Sequence, residues 1–312
     1  MGEGRPTTSV LPTAPAAYLR RSDASDVLPT GWRRHDDTET TGAEAASTRF
    51  TVGVRWARDH RFYTPVHGRY APSLIAESMR QAAKVLIHAE YGVPLDHPLL
   101  MWDLHYTAQP EGLLVQRTDL RLDLEVTCSR VQRRGARFAG MDVHVVFVRD
   151  GEPIAAGGGR LTCVSPTAYR RLRGDRAEAT GDRALTIPVP PADVHRTGTA
   201  DVLLSPTPNR RRWQLRADPG NSSLFHRPND HIPGMVLLEA AYQAAYTVAA
   251  PERFYPTSVD ISFSRYAEFD PPCWLEAHTM PTPLPGGIGV QIAGDQDANR
   301  VFLALLEGVA VD

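Results

Sequence analysis

A carboxylate set inside an apolar helix limits the folds open to this chain more than any other feature. Residues 224–245 read Leu-Phe-His-Arg-Pro-Asn-Asp-His-Ile-Pro-Gly-Met-Val-Leu-Leu-Glu-Ala-Ala-Tyr-Gln-Ala-Ala. The first part is polar and holds His226 and His231. Pro233-Gly234 is a turn signal, and an uninterrupted helical pattern follows. Apolar residues and alanines fill nearly every position, which describes a helix buried all round rather than an amphipathic one. Glu239 lies within it. A glutamate is seldom buried unless it is paired or used, so this position is the first functional signal.

The pattern occurs twice. Residues 50–56 alternate like a strand. A polar loop with His60 and His67 follows, and a helical pattern begins after Pro72. Glu77 lies five residues after Pro72, as Glu239 lies five after Gly234; Gln81 follows Glu77 by four, as Gln243 follows Glu239. Upstream, Asp26-Val27-Leu28 before Trp32-Arg33-Arg34 matches Asp201-Val202-Leu203 before Arg210-Arg211-Arg212-Trp213. Strand patterns follow each helix, at 99–107, 119–127, 138–148 and 153–164, then at 257–266, 273–280, 288–293 and 300–311, with Gly151 marking a hairpin. The expected fold is α+β. Two units, 21–165 and 193–312, arise by internal duplication and are related by a pseudo-two-fold axis. Each has a long helix, residues 73–91 and 234–249, wrapped by an antiparallel sheet. Residues 1–20 read as a disordered leader. Residues 166–192, rich in Arg, Gly, Ala, Asp and Pro with no apolar period, read as a linker.

Asp230-His231-Ile232-Pro233-Gly234-Met235-Val236-Leu237-Leu238-Glu239-Ala240-Ala241 resembles, almost letter for letter, the signature of the A-factor biosynthesis (AfsA-like) family. These are γ-butyrolactone synthases of antibiotic-producing actinomycetes. His195-Arg196 followed by Asp201-Val202-Leu203-Leu204 resembles the family's lead-in. The stretch is also similar to the central-helix motif of hot-dog dehydratases and thioesterases. In those dehydratases the histidine stands eight residues before the final proline; here His226 stands seven before Pro233. The resemblance covers the chain from about residue 22 onward. It implies a double hot-dog fold, a covalent copy of the usual homodimer.

The resemblance also implies an acyltransferase. A β-ketoacyl group, carried as a thioester on an acyl carrier protein, would pass to the hydroxyl of dihydroxyacetone phosphate. The ester would cyclise toward a butenolide, γ-butyrolactone or furan signalling molecule. The residues are compatible with this. Glu77 and Glu239 would face clefts between the units, where burial would raise their pKa and make them usable acids or bases. His226 or His231 would carry protons across the cleft that holds Glu77, with His60 or His67 opposite Glu239. Backbone N–H groups at Gly234 and Met235 could hold an oxyanion. Arg80, beside Gln81, could grip a phosphate through its planar fork or pair with Glu77. The family has arginine at this place in both halves, but here Tyr242 precedes Gln243: either the second-half site is altered or Tyr242 supplies a hydroxyl in place of the guanidinium, and Gln81, Tyr242 and Gln243 count with Arg80, Gly234 and Met235 as candidate substrate-binding residues. No Gly-x-Ser-x-Gly motif occurs, which favours direct transfer. A hot-dog thioesterase or dehydratase, and a non-catalytic binder of acyl ligands, are the competing readings.

Bulk properties remove other classes. The net charge of −2 gives no electrostatic case for nucleic acid or membrane, and 42% hydrophobic residues suffice for a core. Cys128, Cys163 and Cys273 lie far apart with no Cys-x-x-Cys, so neither a disulfide framework nor a zinc site is implied, and a cytoplasmic, reducing setting is. No cofactor or metal is expected. No signal peptide and no membrane-length apolar run are seen. The arginine stretches at 32–34 and 210–213 are too short for a nucleic-acid surface and would suit an acidic carrier protein.

Overall fold

The computed structural model describes residues 15–21, 23–35, 47–181, 183–225 and 228–311. His226 and residues 1–14 lie outside them. The first unit runs α1 (Pro15–Leu19), β1 (Pro29–Arg34), β2 (Thr48–Trp56), α2 (Ser73–Ala89), β3 (Leu99–Ala108), β4 (Leu120–Arg134), β5 (Arg137–Arg149) and β6 (Glu152–Cys163). Helix α3 (Pro166–Arg173) follows. The second unit runs β7 (Leu204–Pro206), β8 (Arg212–Leu215), α4 (Gly234–Ala249), β9 (Phe254–Phe263), β10 (Trp274–Met280), β11 (Gly287–Gln296) and β12 (Asn299–Ala310).

All the strands join one antiparallel sheet in the order β1-β2-β4-β5-β6-β3-β9-β12-β11-β10-β8-β7. Read from either end, the order is the same once each strand is exchanged for its counterpart in the other unit. The units meet edge to edge at β3 and β9, with Leu104 opposite Ile261 and Tyr106 opposite Val259. This is the double hot dog, and each long helix packs under its own half of the sheet.

Alternation explains the strands. In β4, Leu120, Leu122, Leu124, Val126 and Cys128 are buried while Arg121, Asp123 and Glu125 face solvent. Gly151, at φ 89°, makes the β5–β6 turn that a side chain would disfavour. In α4, Val236, Leu238, Ala240, Ala241, Ala244 and Ala245 are all fully buried, so this helix is enclosed on every side. Among the described residues no helix is long and apolar enough to cross a membrane.

The two buried glutamines show why the spacing repeats. Gln81 Oε1 accepts from the Leu28 N–H (2.9 Å), and its Nε2 donates to the Asp26 carbonyl (2.8 Å). Gln243 does the same for Leu203 N–H (2.8 Å) and Asp201 C=O (2.9 Å). Each glutamine thus satisfies the backbone of its own lead-in segment, which would otherwise bury unpaired groups. The residue before each lead-in arginine also repeats a left-handed backbone, Arg20 at φ 54° and His195 at φ 53°.

Two expectations need correction. The leader is structured in its last turn: Pro15–Leu19 form α1, and Leu19 is buried. The linker carries α3. Ser165 caps that helix by accepting from the Ala168 N–H (3.2 Å), Pro166 opens it, and Gly174 ends it at φ 54°. Local capping forms this short helix without an apolar period.

Replacing Gln81 or Gln243 by Leu leaves two buried backbone groups unpaired. At about 1–3 kcal/mol for each such group, either variant should lose roughly 2–5 kcal/mol in urea denaturation, and the two losses should be similar. A loss under about 0.5 kcal/mol in both would show that the clamps do not hold the lead-ins.

Candidate active site

A cavity of about 1010 Å³ opens between the units. One wall is α2, with Glu77, Arg80 and Ala83. The facing wall is the start of α4, with His231, Gly234 and Met235, and α3 contributes Leu172 and Arg173. The structure therefore brings Glu77 and Arg80 of the first unit together with the loop and helix start of the second. The first N–H groups of α4 have no acceptor within the helix. Gly234 keeps this approach narrow: a Cβ there would lie 3.1 Å from Phe263 and 3.3 Å from Met101.

Glu77 is buried and fully engaged. Arg80 holds it with two bonds, Nε to Oε2 and Nη2 to Oε1, both 2.7 Å, and Gln81 Nε2 donates to Oε1 at 2.6 Å. Arg21 donates to the same Oε1. Burial alone would raise the Glu77 pKa, but Arg80 and Arg21 outweigh it and hold the carboxyl far below its usual range. The expectation of a glutamate raised toward neutrality therefore fails at Glu77. Its proton affinity is too low for a general base near neutral pH. What it does is position two guanidinium groups at the cavity wall.

Glu239 is placed differently. Arg196 and Gln243 hold it (Gln243 Nε2 to Oε1, 3.1 Å), but it does not line the cavity. Where α2 has Arg80 and Lys84, α4 has Tyr242 and Tyr246, both buried. The Tyr242 hydroxyl meets that of Tyr106 at 2.7 Å. Tyr246 packs edge-on against His195 (4.7 Å), and His195 against His67 (4.5 Å). Aromatic rings thus fill the side that corresponds to the open cavity. Burial, with the nearby charge of His195, Arg253 and Arg69, lowers His67 to about 4. His60 braces its own loop: Nδ1 accepts from the Phe62 (3.1 Å) and Tyr63 (3.2 Å) N–H groups, and Nε2 lies 3.3 Å from Asp26. The hydrogen bonds of Glu239 among the described residues go to Arg196 and Gln243, not to His60 or His67.

Several residues at the site escape a sequence reading. Arg21 has a usable signal, since it precedes Asp26 by five residues as Arg196 precedes Asp201. Tyr169, Arg173 and Glu268, which surround Asp230, have none. The arginine-bearing stretch 32–34 lies on the edge strand β1, and 210–213 runs from the β7–β8 turn into β8; Trp32 Nε1 donates to Glu90 at the end of α2 (2.7 Å). Among the described residues no cluster of three or more His, Cys, Asp or Glu side chains could hold a metal ion.

The fold, with its cavity between the units, defines a double hot-dog protein. The A-factor biosynthesis hotdog domain matches residues 5–165 and 177–297, and the chain belongs to that family. It is 43% identical over 294 residues to the 2-oxo-3-(phosphooxy)propyl 3-oxoalkanoate synthase of Streptomyces virginiae, covering 94% of this chain and 97% of that one. It is 41% identical over 297 residues to the synthase of the same name from Streptomyces coelicolor, covering 95% and 91%. Among solved structures it is similar to a protein described as an oleoyl thioesterase from Lactobacillus plantarum. The TM-score is 0.54 at 11% identity, covering 87% of this chain and 100% of that one, a likeness of fold alone.

The low pKa of Glu77 sets a pH dependence. A free glutamate titrates near 4.5, and this one lower when folded, so its stabilisation is complete above about pH 4.5 and is lost as the pH falls below it. Thermal melts from pH 7 to pH 3 should show the wild type losing stability below that point. Glu77→Gln should be less stable at pH 7 yet lose less on acidification. An unchanged acid slope would mean the carboxylate is not the linked group.

Proposed function

We propose that this protein transfers a β-ketoacyl group from a thioester to the hydroxyl of dihydroxyacetone phosphate, forming a 2-oxo-3-(phosphooxy)propyl 3-oxoalkanoate. One observation carries the reading. Two arginines, Arg21 and Arg80, share a single carboxylate at the wall of the cavity between the units. That leaves an excess positive charge where a phosphate can meet a guanidinium fork. The rest of the cavity suits the acyl donor, with Met79, Ala83, Ile87 and Leu104 among its walls. Its volume lies at the upper end of ordinary ligand sites, roughly 300–1,000 Å³, which fits two substrates held together. The corresponding side of the second unit has Tyr242 in place of Arg80 and is filled, so the Glu77 cavity is the working one.

Gly234 and Met235 would turn backbone N–H groups to the thioester oxygen as it gains charge. Gln81 fixes Glu77, and Gln243 fixes the other helix to its lead-in. The thioester is read as carried by an acyl carrier protein. Three cysteines with no disulfide among them suit a reducing, cytoplasmic setting. The ester would then close toward a butenolide or γ-butyrolactone.

Incubation with a β-ketoacyl carrier thioester and dihydroxyacetone phosphate, read by mass spectrometry, should yield the phosphorylated ester. Free acid would mean a thioesterase, an enoyl product a dehydratase, and saturable binding without turnover a binding protein. A charged hydrogen bond contributes about 1.5–3 kcal/mol, or roughly 10–100-fold. Arg80→Ala should therefore raise KM for the triose phosphate by about that factor and KM for the thioester by much less. Tyr242→Phe should leave both unchanged. Equal effects of Arg80→Ala on both constants would assign Arg80 to structure alone.

A further inference from the structure

Glu77 has no free oxygen for a proton, since Arg21, Arg80 and Gln81 cover both. The acyl transfer proposed above still needs a group that takes the hydroxyl proton. Among the described residues three histidines line the cavity. His88 Nδ1 is tied to the Val93 carbonyl (2.8 Å). His97 pairs with Asp96 (3.0 Å), but that carboxylate is 70% exposed and free to turn in water. His231 is held otherwise.

His231 Nδ1 lies 2.8 Å from Asp230 Oδ1. The Tyr169 hydroxyl donates to both Asp230 oxygens, at 2.8 and 3.0 Å. Arg173 Nε donates to Asp230 Oδ2 (2.7 Å) and Nη2 to its carbonyl (2.9 Å). Arg173 also grips Glu268 with two bonds of 2.7 Å. Its side chain is 3% exposed and that of Glu268 7%. Gln296 ties Glu268 to the end of β11 through two bonds of 2.9 Å. Tyr266 packs edge-on against His231 (4.7 Å) and lies under the Arg173 guanidinium (4.4 Å).

Burying this many charges is costly unless the geometry is used. Here Tyr169 and Arg173 both bond the Asp230 carboxylate, Glu268 holds Arg173 in place, and that carboxylate fixes one histidine. Burial alone would raise the Asp230 pKa, but its bonds to His231, Arg173 and Tyr169 outweigh this and keep it ionised. An ionised partner at Nδ1 selects the Nδ1–H tautomer, which leaves the Nε2 lone pair to act. His231 also stands three residues before Gly234. The proton acceptor and the N–H groups of α4 are therefore fixed to the same turn.

We propose that Asp230 and His231 form the proton-transfer dyad of this site, and that Tyr169 and Arg173 of the inter-unit helix, with Glu268, are its positioning residues. The inference rests on the acyl-transfer reading for its chemistry. His231 Nε2 takes the proton from the triose hydroxyl as that oxygen bonds to the thioester carbonyl carbon. The carbonyl oxygen gains charge beside the α4 N–H groups. Collapse breaks the C–S bond, and His231 returns the proton to the departing sulfur, so no proton is gained or lost overall. The carboxylate stays ionised throughout.

The first test needs no substrate. Long-range ¹H–¹⁵N spectra of histidine-labelled protein, with His231 assigned by its loss in His231→Asn, should show the Nδ1–H tautomer. Asp230→Asn should shift it toward Nε2–H, and Tyr169→Phe, which removes the hydroxyl from both Asp230 oxygens and keeps the ring, should shift it partly. In turnover, His231→Asn should lower kcat by about 10²-fold or more with both KM values nearly unchanged. Arg173→Met should lower kcat, and Arg173→Lys should restore part of it. An Nε2–H tautomer in the wild type, or a full kcat in folded His231→Asn, overturns the dyad. If the wild type makes no ester at all, the reaction assignment fails while the tautomer measurement still decides the geometry.

Discussion

The structure depends on one repeated interaction, an arginine that joins the buried glutamate of its own unit to the backbone of the other. Arg21 reaches Glu77 and also donates to the Ser223 carbonyl at 2.7 Å; Arg196 reaches Glu239 and donates to the Phe62 carbonyl at 2.6 Å. Each guanidinium neutralises a carboxylate that could not otherwise sit in an apolar helix. Each also satisfies a loop carbonyl across the interface. The helix glutamates are thus the points at which the two halves are fastened together. The continuous sheet at β3 and β9 adds backbone pairing to the same junction.

From this symmetric base the halves diverge by a few side chains. On the first helix, Arg80 and Lys84 leave space and positive charge. On the second, Tyr242 and Tyr246 occupy the corresponding volume and pair with Tyr106 and His195. The two units keep the same clamps, the same arginine–glutamate bond and the same strand order. At the positions of Arg80 and Lys84 the second helix carries Tyr242 and Tyr246, so one cleft is open and the other filled.

The periodicity of the chain makes the helices, most strands and the duplication legible, because each rests on local spacing: four residues between Glu and Gln, alternation in β4, glycine at a hairpin. The short strands β1, β7 and β8 are not legible, since pairing with neighbours makes them strands and their own composition does not. The signature around His231 points to the right loop, and the spacing of Glu77 and Arg80 allows their ion pair, but the second guanidinium on Glu77 comes from Arg21, which only the match with Arg196 in the other half points to. Tyr169 and Arg173 are invisible for a related reason. A helix with no apolar face, exposed for most of its length, gives no hint that one of its arginines turns inward.

Helix α3 has a consequence for symmetry itself. Two separate hot-dog subunits related by a true two-fold axis would own two identical clefts, and any residue placed at one would appear at the other. A fused pair has a single connecting segment, which can lie on one side only. Arg173 and Tyr169 therefore reach Asp230, and among the described residues they have no counterpart at the opposite cleft. Covalent fusion does more than hold the units together: it supplies an element that is unique per molecule, and with it a distinction between two sides that were once the same.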